Sequence, residues 1–458
     1  MKRFALLGKD IQHSQAKRVH AELGDHEYVL VEIEKPEDIQ EFFRDDRIDG
    51  FNITHPYNTD VIAYLDELSE DAERTQSVNV VKRLPDGRLK GYNTDMTGFR
   101  YLVRGSVEGR RCLVLGTGGA ARSAAAVLDD MGASDIVMVS RDPESAAGKK
   151  GVCHETAAYD RLAPYYHYEV MVNCTPVGRY PDLGDSPLAE NKVSVRLFSD
   201  LELAIDLVYN PYRTKFLQDA KRLTRCNTKS GMDMLIVQAI SSLNIWYDRE
   251  TDHEEVDLML RKIKRKLLES QLNVVAVGLP GSGKTTIFRR YAYELGQKFI
   301  DIDEETEKLM GQSITDVMSD YGIGEEYFRA MEHQAVKDAA VTRGSVIATG
   351  GGTLLNPLNR DFLKANGIVI YVKRPLDMLN IKGKPLSVNI DLTKLFNDRD
   401  RIYRMTADMV LLNSRIFGEI KARTGEGNSY NYELKGFVYF IARKVQKYLN
   451  ELAADIWT

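Results

Sequence analysis

Arg111-Cys112-Leu113-Val114-Leu115-Gly116-Thr117-Gly118-Gly119-Ala120-Ala121 is a short strand-like run that breaks into glycines. Further along, Asn273-Val274-Val275-Ala276-Val277-Gly278-Leu279-Pro280-Gly281-Ser282-Gly283-Lys284-Thr285-Thr286 repeats the plan. A glycine turn between strand and helix lets backbone N–H groups meet a phosphate with no Cβ in the way, and the helix N-terminus favours the anion. The first turn has the G-x-G-x-x-G/A form of a dinucleotide loop, with Gly116, Gly118, Gly119 and Ala120 nearest the ligand. The second is a complete Walker A loop, G-x-x-x-x-G-K-T. Two such loops imply two chemistries in one polypeptide.

The 458 residues exceed what one hydrophobic core holds, so two or three domains are expected. An apolar content of 43% and a charged content of 28% are those of a globular protein, and a net charge of −5 gives no electrostatic case for nucleic acid or an acidic membrane. No segment has the length of apolar chain that a membrane span needs, and the N-terminal run Phe4 to Leu7 is too short for a signal sequence. Cys112, Cys153, Cys174 and Cys226 are scattered without metal-ligand spacing, which reads as free thiols in a cytoplasmic protein. The sequence leaves the oligomeric state open.

Strand-like runs alternate with helical patterns, which predicts an α/β chain of parallel sheets flanked by helices. We expect a helical linker over 251–271, then a P-loop domain of the nucleoside monophosphate kinase type over 272–458. In the linker, Val256, Leu260, Ile263 and Leu267 share one helical face, and Thr251-x-x-Glu254 resembles a capping box. Phe437, Ile441, Val445, Leu449 and Leu452 predict a final helix, and Gly425 to Asn431 reads as a polar loop before it.

At the end of the strand after the first loop stands Ser140-Arg141-Asp142. An acidic residue there would hold the ribose hydroxyl of NAD, whereas Arg141 suits the 2′-phosphate of NADP. With the loop are Gly8 to Ser14 followed by His20, Gly50-Phe51-Asn52-Ile53-Thr54-His55-Pro56, Ser77-Val78-Asn79, and Gly91 to Gly98. Val172 to Gly178, Asp206 to Pro211, and Gly231 to Leu235 with Gln238 complete the series. In this order they resemble shikimate dehydrogenase over roughly residues 1–250. The resemblance implies a substrate-binding α/β unit over 1–100, with 231–250 packing back on it, and a Rossmann unit over 101–230. It also implies reversible hydride transfer between NADP(H) and the shikimate/3-dehydroshikimate pair. Ser14, Thr54, Asn79, Asp95, Tyr209 and Gln238 would hold substrate, Asp95 would act on the reacting proton, and Ser140 and Arg141 would hold cofactor. The family's catalytic lysine is replaced by Asn58, and only the first serine of its H-S-x-S start remains. An amide has no proton to exchange near neutral pH. Three readings stay open: Asp95 or His55 carries the proton, the pocket takes a relative such as quinate, or the half only binds ligand.

Phe299-Ile300-Asp301-Ile302-Asp303, Gly324 to Arg329, Gly350-Gly351-Gly352 after Thr349, and Arg399 ahead of Tyr403 follow the Walker A loop. Together they resemble shikimate kinase over about 272–420. The resemblance implies ATP and Mg2+ as cofactors, with Gly278, Gly281, Ser282, Gly283, Lys284, Thr285 and Thr286 around the nucleotide. Thr285 and Asp301 would hold the metal, and Asp303, Arg329, Gly351, Gly352 and Arg399 the substrate. Asp301 is also a candidate to orient the attacking hydroxyl. The family's lid arginine is Lys384 here, which keeps the charge but loses the planar fork. The two resemblances meet on one metabolite, shikimate.

Overall fold

A computed structural model describes residues 1–12, 14–144, 155–319, 324–379, 391–414 and 427–454. The chain divides into two compact units, with the boundary between Leu267 and Leu268.

The first unit contains two sheets. Strands β1 (Arg3–Gly8), β2 (Glu27–Glu32), β3 (Gly50–Ile53), β4 (Glu67–Leu68), β5 (Val80–Arg83) and β6 (Leu89–Tyr92) lie in the order β2-β1-β3-β5-β6-β4. β1 pairs parallel with β2 and β3, whereas β5 runs antiparallel to both β3 and β6. This mixed end departs from the all-parallel expectation. Pro85, Asp86 and Gly87 in the β5–β6 turn allow the chain to double back at once, with Leu84 N–H on the Arg88 carbonyl at 2.8 Å.

The second sheet is wholly parallel. It comprises β7 (Arg111–Leu115), β8 (Asp135–Ser140), β9 (Glu155–Ala158), β10 (Val170–Asn173), β11 (Leu203–Asp206) and β12 (Asn227–Ser230), in the order β12-β11-β10-β7-β8-β9. That is the doubly wound dinucleotide-binding order. Its four central strands read as largely apolar runs because both faces are covered, whereas the edge strands β9 and β12 are polar and less buried. Cys112, Val114, Val170 and Val172 join one core with Phe99, Leu102 and Val127, while Leu113, Leu115, Met171 and Ala204 join another with Phe198 and Phe216. Each such buried side chain stabilises by roughly 1.5–3 kcal/mol.

Helix His253–Gln271 begins one residue later than the capping-box reading placed it. Asp252 is the cap, its Oδ1 accepting from Glu255 N–H at 2.8 Å, and Thr251 instead donates to Asn244 Oδ1 at 2.8 Å. Leu260, Ile263 and Leu267 are buried as the spacing predicts. So is Lys264, whose ammonium meets the Asp233 carboxylate at 2.8 Å with both side chains shielded from water.

The second unit is a single parallel sheet of β13 (Asn273–Val277), β14 (Phe299–Asp301), β15 (Val346–Ala348), β16 (Gly367–Lys373) and β17 (Met409–Leu412), ordered β14-β15-β13-β16-β17. Val275, Val277, Ile347, Val369 and Tyr371 form its core with Ala335, Val336 and Leu363. The final helix, Gly427–Ala454, packs on helix Lys284–Leu295, and Phe437, Ile441, Val445 and Leu449 are buried. It begins at Gly427, so most of the stretch read as a polar loop is its first turns.

Candidate active sites of the two units

Of the residues assigned to substrate by resemblance, Asp95 and Gln238 meet at Asn79. Its amide nitrogen donates to Asp95 Oδ1 at 2.8 Å, to Thr94 Oγ1 at 3.1 Å and to Gln238 Oε1 at 3.4 Å, while its Oδ1 accepts from Thr94 N–H at 2.7 Å. Asp95 lies in the first turn of helix Thr94–Val103, where Asn93 caps the Asp95 N–H at 3.1 Å. Desolvation pushes its carboxyl up to about 6, against the lowering effect of the Asn79 hydrogen bond. Gln238 projects from helix Met232–Tyr247, which approaches closely because Gly98 has no Cβ; one there would stand 2.7 Å from the Met234 carbonyl.

Asn58, which stands where the resemblance places the family's catalytic lysine, is turned to backbone. Its Nδ2 donates to the carbonyls of Ile53 and Val78, each at 3.1 Å, so both amide hydrogens are engaged with backbone. His55 is exposed and serves through its carbonyl, which accepts from Lys9 N–H at 3.3 Å. Ser14 and Thr54 are half-buried after β1 and β3, and Ser14 Oγ accepts from Ala16 N–H at 3.2 Å. His13 lies outside the described residues. His20 is buried and stacked on Tyr28 with ring centroids 3.8 Å apart, and burial holds its imidazole well below the usual range, so it packs as a neutral ring. Tyr209 is half-buried after β11.

The dinucleotide turn abuts this cluster. Gly116 adopts a φ of +111°, Gly118 is open to solvent with nothing near its Cβ position, and a Cβ on Gly119 would meet Ser77 Oγ at 2.7 Å and Asn58 Cβ at 3.8 Å. Ala120 follows in the first turn of helix Gly119–Asp130. Ser140 closes β8 with its Oγ bonded to the Asp142 backbone, and Arg141 is exposed beside it. An open glycine cradle with a cation at the neighbouring strand end fits an NADP pyrophosphate and 2′-phosphate. Sequence reasoning missed two groups that join this helix to the substrate sheet. Asn93 donates to Ser123 Oγ at 2.8 Å, and Arg122 donates to the Thr75 carbonyl at 2.9 Å and the Gln76 carbonyl at 3.0 Å. Arg122, directly after the glycine turn, was the available signal.

In the second unit the Walker loop is built as its sequence requires. Gly278, Gly281 and Gly283 all have positive φ, and a Cβ on Gly278 would stand 2.5 Å from the Val372 carbonyl. Lys284 is buried, its ammonium on the carbonyls of Gly278 at 2.9 Å and Leu279 at 3.0 Å. Thr285 Oγ1 donates to Asp301 Oδ2 at 3.0 Å, while Thr286 is exposed in the next position. Hydroxyl, carboxylate and phosphate oxygens are the donor set that Mg2+ takes. Asp301 Oδ1 also caps its own helix at Asp303 N–H, 3.0 Å away, so both its oxygens are engaged.

Several of the residues assigned to substrate meet at the glycine triplet. A Cβ on Gly350 would lie 2.5 Å from Asp303 Oδ1, on Gly351 2.5 Å from Pro280 Cδ, and on Gly352 2.7 Å from Arg329 Nη1. Arg399 donates to the Gly351 carbonyl at 2.8 Å. Asp303, the P-loop and both arginines thus surround one backbone segment. Glu332, which sequence reasoning missed, is buried behind it and takes Arg329 Nη1 at 2.9 Å and Thr353 Oγ1 at 2.7 Å. Lys384 lies outside the described residues.

Fold and site define a Rossmann dehydrogenase unit followed by a P-loop phosphotransferase unit. Family models agree: "Shikimate dehydrogenase substrate binding domain" matches residues 6–81 and "Shikimate kinase" residues 280–418. The shikimate dehydrogenase (NADP(+)) of Caldicellulosiruptor saccharolyticus is 34% identical over 266 residues, 54% of this chain and 93% of that protein. Among solved structures, a chorismate mutase/shikimate 5-dehydrogenase fusion protein from Clostridium acetobutylicum is 32% identical, with a TM-score of 0.52 over 58% of this chain and 98% of its own. Shikimate dehydrogenase 1 from Peptoclostridium difficile is 30% identical, with a TM-score of 0.51 over 57% and 96%. The chain belongs, through its N-terminal unit, to the shikimate dehydrogenase family, and its C-terminal unit carries a shikimate kinase domain.

Proposed function

We propose that this chain performs two consecutive reactions of the shikimate pathway, NADP-dependent reduction of 3-dehydroshikimate to shikimate and ATP-dependent phosphorylation of shikimate to shikimate 3-phosphate. The observation that carries this reading is the pair of assembled sites, Asp95 on Asn79 beside one glycine turn and Asp303 with Arg329 beside the other. We assign both reactions to the cytoplasm; no helix among the described residues is long and apolar enough to cross a membrane.

In the first reaction bound NADPH supplies the hydride. Asp95 gives the proton that the carbonyl oxygen of 3-dehydroshikimate takes up as it becomes a hydroxyl, and regains one from water; in reverse its carboxylate accepts the hydroxyl proton. Asn79 and Gln238 set the carboxyl's position, and Ser14, Thr54 and Tyr209 hold the ring. Asn58 takes no part in proton transfer, because its amide is occupied. Ser140 and Arg141 hold the 2′-phosphate end.

In the second reaction ATP with Mg2+ supplies the transferred phosphoryl group. Lys284 leaves the loop carbonyls for the phosphate oxygens, and Thr285 and Asp301 would hold the metal. Asp303, whose Oδ1 stands at Gly350, orients the attacking hydroxyl. Arg329 and Arg399 hold the substrate carboxylate, for which planar forks give bidentate contacts. Lys384, which the resemblance aligns with the family's lid arginine, is assigned to the charge of the transferring phosphoryl group. Consumption of NADPH with 3-dehydroshikimate, and release of ADP with shikimate, test the two halves separately; silence in either assay overturns that half.

A further inference from the structure

Beside the Walker loop three buried polar atoms have no hydrogen-bond partner among the described residues: Ser282 Oγ, Asn413 Oδ1 and Arg374 Nε. They come together because the sheet is parallel, so the carboxyl ends of β13, β16 and β17 lie along one edge, where such sheets bind ligands. Arg374 directly follows β16 and Asn413 directly follows β17, and Asn413 N–H donates to the Lys373 carbonyl at 2.8 Å. The Asn413 side chain is fully buried and donates to the Ser282 carbonyl at 2.8 Å. At Gly283, in left-handed conformation with φ +93°, a Cβ would meet Asn413 Nδ2 at 2.8 Å and Arg374 Nη1 at 4.0 Å.

Gly283 is the last residue before helix Lys284–Leu295, so the half-buried guanidinium of Arg374 stands at the positive end of that helix, beside backbone N–H groups already suited to phosphate. A cation in that position is repelled by the helix terminus unless an anion lies between them. We propose that Arg374 is a nucleotide-binding residue of the kinase unit, its planar guanidinium engaging the phosphates of ATP over Gly283 while Asn413 fixes the loop carbonyl beneath. The proposal rests on the P-loop kinase reading and adds to it a contact outside the Walker sequence. Lys373, one residue earlier, is turned to Asp400 at 3.5 Å and is not part of it.

The test is calorimetric binding of MgATP to the full chain, with shikimate binding and NADPH-dependent turnover measured on the same samples. Arg374→Ala is expected to weaken MgATP at least tenfold and leave shikimate affinity and dehydrogenase turnover as in the wild type. Arg374→Lys, keeping charge without the fork, should fall between. Wild-type MgATP affinity in Arg374→Ala overturns the proposal, and so does an equal loss of MgATP and shikimate affinity, which marks a structural role. Failure of the wild type to bind MgATP defeats the kinase reading and the proposal with it, whereas binding that is lost in Lys284→Ala but not in Arg374→Ala defeats the proposal alone.

Discussion

Asn58 and Val78 hold each other by two hydrogen bonds: the Asn58 amide donates to the Val78 carbonyl at 3.1 Å, and the Val78 N–H donates to the Asn58 carbonyl at 2.8 Å. Val78 directly precedes Asn79, the residue that holds Asp95. Asn58 therefore steadies the backbone that leads into Asn79, on which the proposed proton transfer by Asp95 depends.

Replacing Asn58 by alanine leaves the carbonyls of Ile53 and Val78 without their side-chain donor. We expect a loss of about 1–3 kcal/mol in the N-terminal unit, read as a lower unfolding midpoint. Turnover of 3-dehydroshikimate should fall with it while ADP release from shikimate is unchanged. Asn58→Lys should also lower stability but raise dehydrogenase turnover, since a second proton-exchanging group is typically worth about 10²–10⁴-fold. An alanine variant with the stability and dehydrogenase turnover of the wild type would count against Asn58 as a brace.

The Asp95 carboxyl, raised by desolvation to about 6, sets the pH dependence. Oxidation of shikimate needs the carboxylate, so kcat/KM for that direction should rise through pH 6 and then level, whereas reduction should decline above it. The same shift acts on stability. With a folded pKa above the unfolded value, the native state holds its proton more tightly, and the stability present at pH 4 is lost as pH rises through 6, by at most about 3 kcal/mol. Asp95→Asn should thus match the wild type near pH 4 and exceed it in unfolding midpoint at pH 8. A difference independent of pH would refute the assignment.

Each glycine of the triplet faces a different component, so alanine substitutions should separate their functions. Gly352→Ala pushes on Arg329 and should raise the KM for shikimate about tenfold or more with MgATP binding intact. Gly351→Ala pushes on Pro280 in the Walker loop and should weaken both ligands. Identical profiles for the two variants would contradict the geometry.

Lys264 and Asp233 form a buried ion pair between helices His253–Gln271 and Met232–Tyr247. Lys264→Met alone strands a buried carboxylate and should cost about 3–5 kcal/mol in the N-terminal unit, whereas the double change with Asp233→Leu should recover most of it. Equal destabilisation by the single and double variants would show that the helix docks by its apolar face alone.

Both sheets of parallel strands and both glycine turns were legible because a buried parallel strand needs a continuous apolar run and a phosphate turn needs glycine. Asp95, Asn79, Asp303 and Arg329 were singled out by resemblance to known families, and the structure brings Asp95 to Asn79 and sets Asp303 and Arg329 at the glycine triplet. Position 58 shows where such reading stops. The sequence announces an amide where a lysine is expected, but only the fold shows both amide hydrogens directed to backbone. Glu332 and Arg374 were invisible for a related reason, since a glutamate in a helix and an arginine after a strand have ordinary solvent-facing alternatives. The cap of helix His253–Gln271 was misplaced by one residue because Thr251 and Asp252 are both good caps, and Asn244, remote in sequence, claims the threonine.

The central claim is that both sites turn over in one chain despite Asn58. Supplying 3-dehydroshikimate, NADPH and MgATP to the purified protein, with no shikimate added, tests it in one vessel. We expect shikimate 3-phosphate to accumulate with one NADPH and one ATP consumed per product. Absence of product from 3-dehydroshikimate, while added shikimate is phosphorylated, would contradict the account and leave the N-terminal unit without this reaction.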